Sequence, residues 1–409
     1  MITRLEIDGF KSLVGLRVDV RPTTVFVGPN GAGKSNIFDA LRLVADCVHG
    51  GFDTAFTDQP RGHGPDLFHR TAAGIGPHML ITVGLLLDSP YGPLPARVRL
   101  QASWQDDELV PGPKSAMWVS ALKDRSWMRR LGLSGAWEAA IGQAVDAVPG
   151  DQPRHLPLST TGAHAPLRLW IEDECRSWRP LELDPATMRR PVPGVGAIKD
   201  LLRPDGANLA AVLERLSRHG LLAGLNVDLA TLISDVREVQ PLFDKRRSEY
   251  DFDLVFRDGQ HAAPPLLSEG TLRVLALLAA AYDRTARGPL AVEELEDGLH
   301  PARLAEVLRR LRRDVADYRE TPPARDTGLR QLLLTTHSPV LVAAMRDAPD
   351  GSLVFVDTAT RITRGGGPGH KITVARPVLR TPPPDADLGT YATDYEVRRI
   401  LETVAGGGG

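Results

Sequence analysis

The chain has 409 residues, 42% hydrophobic and 24% charged, and its 49 Lys plus Arg against 51 Asp plus Glu leave a net charge of −2. That length carries two or three domains with a sizeable core, and the charge balance excludes a global electrostatic hold on nucleic acid or anionic membrane, so any such contact needs a local basic patch. Two distant cysteines, Cys47 and Cys175, exclude a disulfide framework and a four-cysteine zinc site and point to a cytoplasmic protein, while the absence of a long apolar run or of an apolar core in the opening MITRLEIDGFKSL excludes a membrane span and a signal peptide.

Residues 2–7 and 16–20 alternate apolar and polar, and Thr24-Val25-Phe26-Val27 is a short run of strand formers, which predicts three strands. The third leads directly into Gly28-Pro29-Asn30-Gly31-Ala32-Gly33-Lys34-Ser35-Asn36, after which Ile37, Leu41, Val44 and Ala45 recur at helical spacing. From about 56 to 200 prolines are frequent and all the tryptophans occur (Trp104, Trp118, Trp127, Trp137, Trp170 and Trp178), which predicts an inserted lobe with those aromatics as its own core. Two helices follow between Asp205 and Arg237, without a sustained heptad that would make a coiled-coil arm. Helix patterns over Leu272–Tyr282, about Pro301–Tyr318 and Pro339–Met345 then alternate with apolar strands at 290–294, 331–335 and 353–356. Those strands are continuously apolar, as in a parallel sheet covered on both faces, so the expected class is α/β with a mainly parallel central sheet and an inserted lobe. The expected boundaries are 1–55 and 251–376 for the two halves of the main domain, 56–200 for the lobe, 201–250 for its helical part, and 377–409 for a Pro-rich, partly disordered tail with a short helix over 395–404.

Gly28-x-x-x-x-Gly33-Lys34-Ser35 is a complete Walker A pattern with a strand before it and a helix after it. Its glycines let backbone N–H groups curl around phosphate oxygens, Lys34 offers a cation to the β- and γ-phosphates, and Ser35 offers a hydroxyl to Mg²⁺, so ATP and Mg²⁺ are the expected ligands. The strand at 290–294 ends in two acids, of which Glu293 suits Mg²⁺ and Glu294 suits a general base that polarises water. Leu267-Ser268-Glu269-Gly270-Thr271 stands before a helix, where Ser268 suits an N-cap and Ser268 with Gly270 also suits an anion-binding turn. His337, in Thr336-His337-Ser338-Pro339 at the next strand end, suits contact with a γ-phosphate or with the attacking water.

Taken in this order, Walker A, an LSxG signature, an acidic Walker B and a switch histidine make the chain resemble a P-loop NTPase of the ABC-type ATPase head class, in the SMC/RecF/OLD branch. Gly9-Phe10-Lys11-Ser12-Leu13, Glu293 to Pro301 and THSP at 336–339 are most similar to stand-alone bacterial AAA family ATPases related to OLD proteins, as are LELDP at 181–185 and LRPDGANLAAVL at 202–213. Leu295 stands where this group often has Pro, Thr271 where transporter signatures have Gln, and His300 where heads commonly carry a D-loop Asp; neither Gln59 nor Gln101 is singled out as a Q-loop glutamine. The residues after Val356 lack the acidic cluster of a Toprim nuclease. The resemblance implies a homodimer in which two heads sandwich two ATP molecules, each site joining one subunit's Walker motifs to the other's Ser268. The expected function is ATP hydrolysis coupled to double-stranded DNA or to an effector protein encoded nearby, in DNA repair or phage defence. The alternatives are a slowly hydrolysing switch over a toxin or nuclease and, less suited to THSP, a transporter subunit. Basic clusters open to DNA are Lys245-Arg246-Arg247, Arg309-Arg310 with Arg312-Arg313, and Arg125 with Arg129-Arg130.

Overall fold

The computed structural model describes residues 1–409 except 58, 73, 107, 111–114, 122–129, 149–155, 158–164, 195, 325–327, 363–368, 381, 383–386, 388, 394, 398 and 400–409. In chain order its main elements are β1 (Ile2–Asp8), β2 (Leu16–Asp19), β3 (Thr23–Val27), α1 (Lys34–Gly50), β4 (His78–Ser89), β5 (Gly92–Gln105) and β6 (Ala116–Ala121). After these come α2 (Gly135–Ala147), α3 (Ala165–Cys175), α4 (Leu209–Arg218), α5 (Leu222–Leu232), β7 (Val236–Asp244), β8 (Glu249–Phe256), α6 (Glu269–Tyr282) and β9 (Leu290–Val292). The last are α7 (Pro301–Arg312), β10 (Leu332–Thr336), α8 (Pro339–Ala344), β11 (Leu353–Arg361) and β12 (His370–Pro377). The chain divides into two compact units, one of Met1–Arg179, Arg287–Pro289 and Val315–Gly409, the other of Pro180–Ala286 and Leu290–Asp314. Among the described residues no helix is long and apolar enough to cross a membrane.

Two sheets build the first unit. In one, β3 is flanked by parallel neighbours, β10 in register Leu334↔Val25 and β11 in register Val354↔Phe26, and β12 closes the edge antiparallel to β11. Every residue of β3 and of β10 is buried, which is why neither strand alternates apolar with charged residues. In the other, β1 lies between β2 and β4, with Leu5 opposite both Val18 and Val83, and β5 and β6 extend it, all antiparallel. Gln331 ties β1 to the start of β10, since its buried amide accepts from Ile2 N at 2.7 Å and donates to Ile2 O at 2.6 Å. Phe38 of α1 meets Phe26 of β3 edge-on, centroids 6.1 Å apart, and fixes the helix against the parallel strands.

The segment 56–200, expected as one inserted lobe, is divided: its long strands β4 and β5 continue the sheet begun by β1, and residues from Pro180 onward fall in the second unit. Its tryptophans do not share one core. Trp137 is fully buried edge-on to Tyr318, with Nε1 donating to Asp317 O at 2.9 Å, in a cluster with Leu86, Ile141 and Leu329. Trp178 is fully buried, while Trp104, Trp118 and Trp170 are half-buried and Trp127 lies outside the described residues. The helix expected from Pro301 to Tyr318 stops at Arg312, because Asp317 and Tyr318 are committed to Trp137. Most of the helix expected at 395–404 also lies outside the described residues.

In the second unit the two stretches resembling the OLD-related group pair with each other: Glu182 N donates to Pro204 O and Asp184 N to Asp205 O, at 2.8 and 3.0 Å. Leu181 bridges Val292 in parallel, so β9 is braced by backbone from a distant part of the chain. The amphipathic α4 buries Leu209, Val212, Leu213 and Leu216, and its Arg215 is also buried because the guanidinium donates to Ile198 O and Asp200 O, both at 2.6 Å, and to the Asp283 carboxylate.

Candidate functional site

The glycine loop grows out of β3 and is shaped by positions where only glycine fits. Gly31 and Gly33 take left-handed φ values of +77° and +96°, and a Cβ on Gly28 would lie 2.0 Å from the carbonyl oxygen of Val356 on β11. Gly33 stands at the N-cap of α1, where it offers no side-chain hydrogen bond, and the helix has no acid in its first turn. Lys34 is buried at 5% exposure, and its ammonium curls back to donate to Gly28 O at 2.8 Å and Pro29 O at 3.0 Å. Ser35 follows on the first turn, half-buried, and Asn36 Nδ2 donates to Ser12 Oγ at 2.7 Å. Asn30 and Gly31 are exposed while Ala32 is buried. Together these residues form a glycine-rich turn that runs into a helix N-terminus, a local geometry that suits an oxyanion.

His337 is brought beside this loop by strand order. Thr336 pairs with Val27, and Gly28 N donates to Thr336 O at 3.3 Å, so the residue after Thr336 emerges next to the start of the loop. Thr336 Oγ1 accepts from Ser338 N at 2.9 Å, which sets the turn that carries the half-buried His337 into α8.

In the second unit the signature turn and the acid pair are neighbours. Ser268 is the exposed N-cap of α6, its Oγ accepting from Thr271 N at 3.2 Å. A Cβ on Gly270 would come within 2.8 Å of Gly298 O, so the loop after the acids packs against the signature turn at van der Waals distance. Glu293 directly follows β9, and its N–H donates to Leu181 O at 3.0 Å. Glu294 adopts φ +45°, a left-handed conformation costly for a residue with a side chain, and its carbonyl accepts from Asp297 N at 2.9 Å. Both glutamates are half-buried, as is Glu296, and Leu295 is buried where the related group often has Pro. His300 caps α7 through Nδ1, which accepts from Ala302 N at 3.2 Å, so its place there is structural. Gln59 is engaged on α1, donating to Asp46 at 2.9 Å.

Sequence reasoning missed Thr373 and the detail of Lys11-Ser12. Thr373, on β12, donates to Ala32 O at 2.9 Å, and Lys11, at a left-handed φ of +45°, binds Asp39 of α1 at 2.7 Å. The GFKS stretch signalled the second of these; no local pattern signals the first. Of the basic clusters, Lys245-Arg246-Arg247 is exposed on the turn between β7 and β8, Arg310 and Arg313 are engaged by Asp228, and Arg125 and Arg129 lie outside the described residues.

Residues 23–85 and 140–343 match the family model described as "AAA domain, putative AbiEii toxin, Type IV TA system". Among solved structures the chain is similar to an Smc head bound to the C-terminal winged-helix domain of ScpA, at 14% identity over 92% of this chain and 98% of that one, with a TM-score of 0.49. It is also similar to the SMC head domain from Thermotoga maritima, at 14% identity over 92% and 99% with a TM-score of 0.42. The third is the Smc head with coiled coil and joint derived from Pyrococcus yayanosii, at 12% identity over 99% of both chains with a TM-score of 0.48. Comparison with curated proteins finds no match.

Proposed function

The chain belongs to this AAA-domain family and is a P-loop ATPase, and from that premise we propose that it hydrolyses ATP to ADP and phosphate at a site completed by a second copy of the chain. The observation that carries this reading is the glycine loop at Gly28–Asn36, with Lys34 folded back onto its carbonyls and a glycine at the N-cap of α1. Lys34 and backbone N–H groups of the loop, Gly33 N–H among them, bind the phosphates. Ser35 of the first unit would offer its hydroxyl and Glu293 of the second its carboxylate to Mg²⁺, which would supply positive charge for the phosphates. Glu294, held in its strained turn, orients water and takes its proton, and His337 stabilises the γ-phosphate or that water. The exposed Ser268 and the half-buried Gly270 present a helix N-terminus to the γ-phosphate held by the partner copy.

We assign the engaged dimer a cytoplasmic role in which ATP binding closes the pair on double-stranded DNA or an effector protein, in DNA repair or phage defence. The exposed Lys245-Arg246-Arg247 turn supports the DNA contact, whereas Arg309 and Arg310 of α7 are held in ion pairs. A second reading, a slowly hydrolysing switch over a toxin, is favoured by the toxin-antitoxin description of the family; undiminished cellular activity of Glu294→Gln would select it.

Dimer formation tests the shared site. In a Glu294→Gln background, light scattering should show ATP-dependent dimers, and adding Ser268→Arg should leave monomers that still bind ATP. Equal dimerisation with and without Ser268→Arg would contradict the reading.

A further inference from the structure

The P-loop is braced from behind by a chain of hydroxyls that ends on the last strand of the first unit. Asn36 Nδ2 donates to Ser12 Oγ at 2.7 Å, Ser12 Oγ lies 2.6 Å from Thr373 Oγ1, and Thr373 Oγ1 lies 2.9 Å from Ala32 O. The two ends fix the direction of the chain. An amide nitrogen only donates and a carbonyl only accepts, so Ser12 donates to Thr373 and Thr373 donates to Ala32, each bond polarising the next. Thr373 is 1% exposed, and its own N–H donates to Ser12 O at 2.8 Å, which holds the two residues in register.

The same hydroxyls leave no space for a side chain at the loop. A Cβ on Gly33 would lie 2.0 Å from Thr373 Oγ1 and 2.9 Å from Ser12 Oγ. Ser12 is itself placed by the strained Lys11, whose N–H donates to Leu67 O at 3.0 Å, whose carbonyl lies 2.6 Å from His69 Nδ1 and whose ammonium binds Asp39 at 2.7 Å.

We propose that Thr373 is a positioning residue for ATP binding: through Ser12 and Ala32 it presets the peptide between Ala32 and Gly33 in its phosphate-accepting orientation. In a trans peptide the C=O and N–H point to opposite sides. Tying the Ala32 carbonyl back to Thr373 therefore turns the Gly33 N–H to the far side of the loop, where a phosphate oxygen sits. The cost of organising that donor is met during folding, so it does not reduce ATP affinity. This rests on the reading of residues 28–36 as the ATP site.

The test measures two things on the full chain: MgATP dissociation constant and kcat, and hydrogen exchange of the 28–36 peptide without nucleotide. Thr373→Val should weaken MgATP about tenfold with kcat within about twofold of the parent, and speed exchange in the nucleotide-free loop; Thr373→Ser should recover most of both. Ser12→Ala, which spares the bond to Ala32, should weaken MgATP by a smaller factor, about threefold, and supplies a second variant should Thr373→Val fold poorly. Parental affinity and parental exchange in either folded variant, or a loss confined to kcat, would overturn the proposal. If the parent itself fails to bind MgATP, the functional reading fails, and the exchange data alone still decide for or against the brace.

Discussion

Gly28 and Gly31 stand in the same loop, and the structure separates the reasons for them. At Gly28 an added Cβ meets backbone, the Val356 carbonyl at 2.0 Å, which cannot swing aside as a side-chain end can. At Gly31 nothing lies within 4 Å, and only the φ of +77° opposes a side chain. We expect Gly28→Ala to cost about 2–3 kcal/mol of unfolding free energy by urea titration, as overpacking does. Gly31→Ala should cost about 1–2 kcal/mol, the penalty of a left-handed L-residue. Equal costs would mean that β11 yields at Val356. At this scale the Walker A residues were legible because the loop's chemistry is contiguous in sequence, and Ser268 as a cap was legible for the same reason. Thr373 was not, because its hydroxyl reaches Ala32 across 341 positions and a threonine in a strand carries no mark of its partner.

Helices and buried strands were readable from periodicity, which is a property of each segment alone, and α1, α4, α5 and α6 fall where their apolar spacing puts them. Pairing was not, since β1 alternates identically whether its neighbour is β2, β4 or neither; the continuation of its sheet into 78–121 is therefore visible only in the fold. The buried carboxylate of Asp228 illustrates the same limit in the second unit. It lies on α5, receives the hydroxyl of Tyr282 at the end of α6 at 2.8 Å, and pairs with Arg310 and Arg313, the latter at 3.0 Å. Burial and the bond to Asp228 push the Tyr282 phenol up, so it stays protonated and keeps donating at neutral pH. Asp228→Ala strands Arg310, which is 16% exposed, with only Glu306 as its carboxylate partner among the described residues. The expected loss is about 3 kcal/mol in denaturant titration. A loss under about 1 kcal/mol, the worth of an exposed pair, would show that the three helices are held by apolar packing alone.

At the scale of the whole chain, the order of motifs was legible and their distribution was not. The first unit carries the Walker A loop and His337, the second carries Ser268, Glu293 and Glu294, and the chain passes between the units more than once. Composition gave no sign of those crossings, because Arg287–Pro289 is too short to shift any average. Turnover needs both sets of motifs, so phosphate release reads them together. The decisive measurement is phosphate release by the purified chain with Mg²⁺ and ATP, with and without double-stranded DNA, against Lys34→Ala and Glu294→Gln. The account predicts release above the Lys34→Ala blank, stimulation by DNA that fades as salt rises, and a loss of about 10²-fold or more in Glu294→Gln. Release from the parent no faster than from Lys34→Ala, under both conditions, would contradict it.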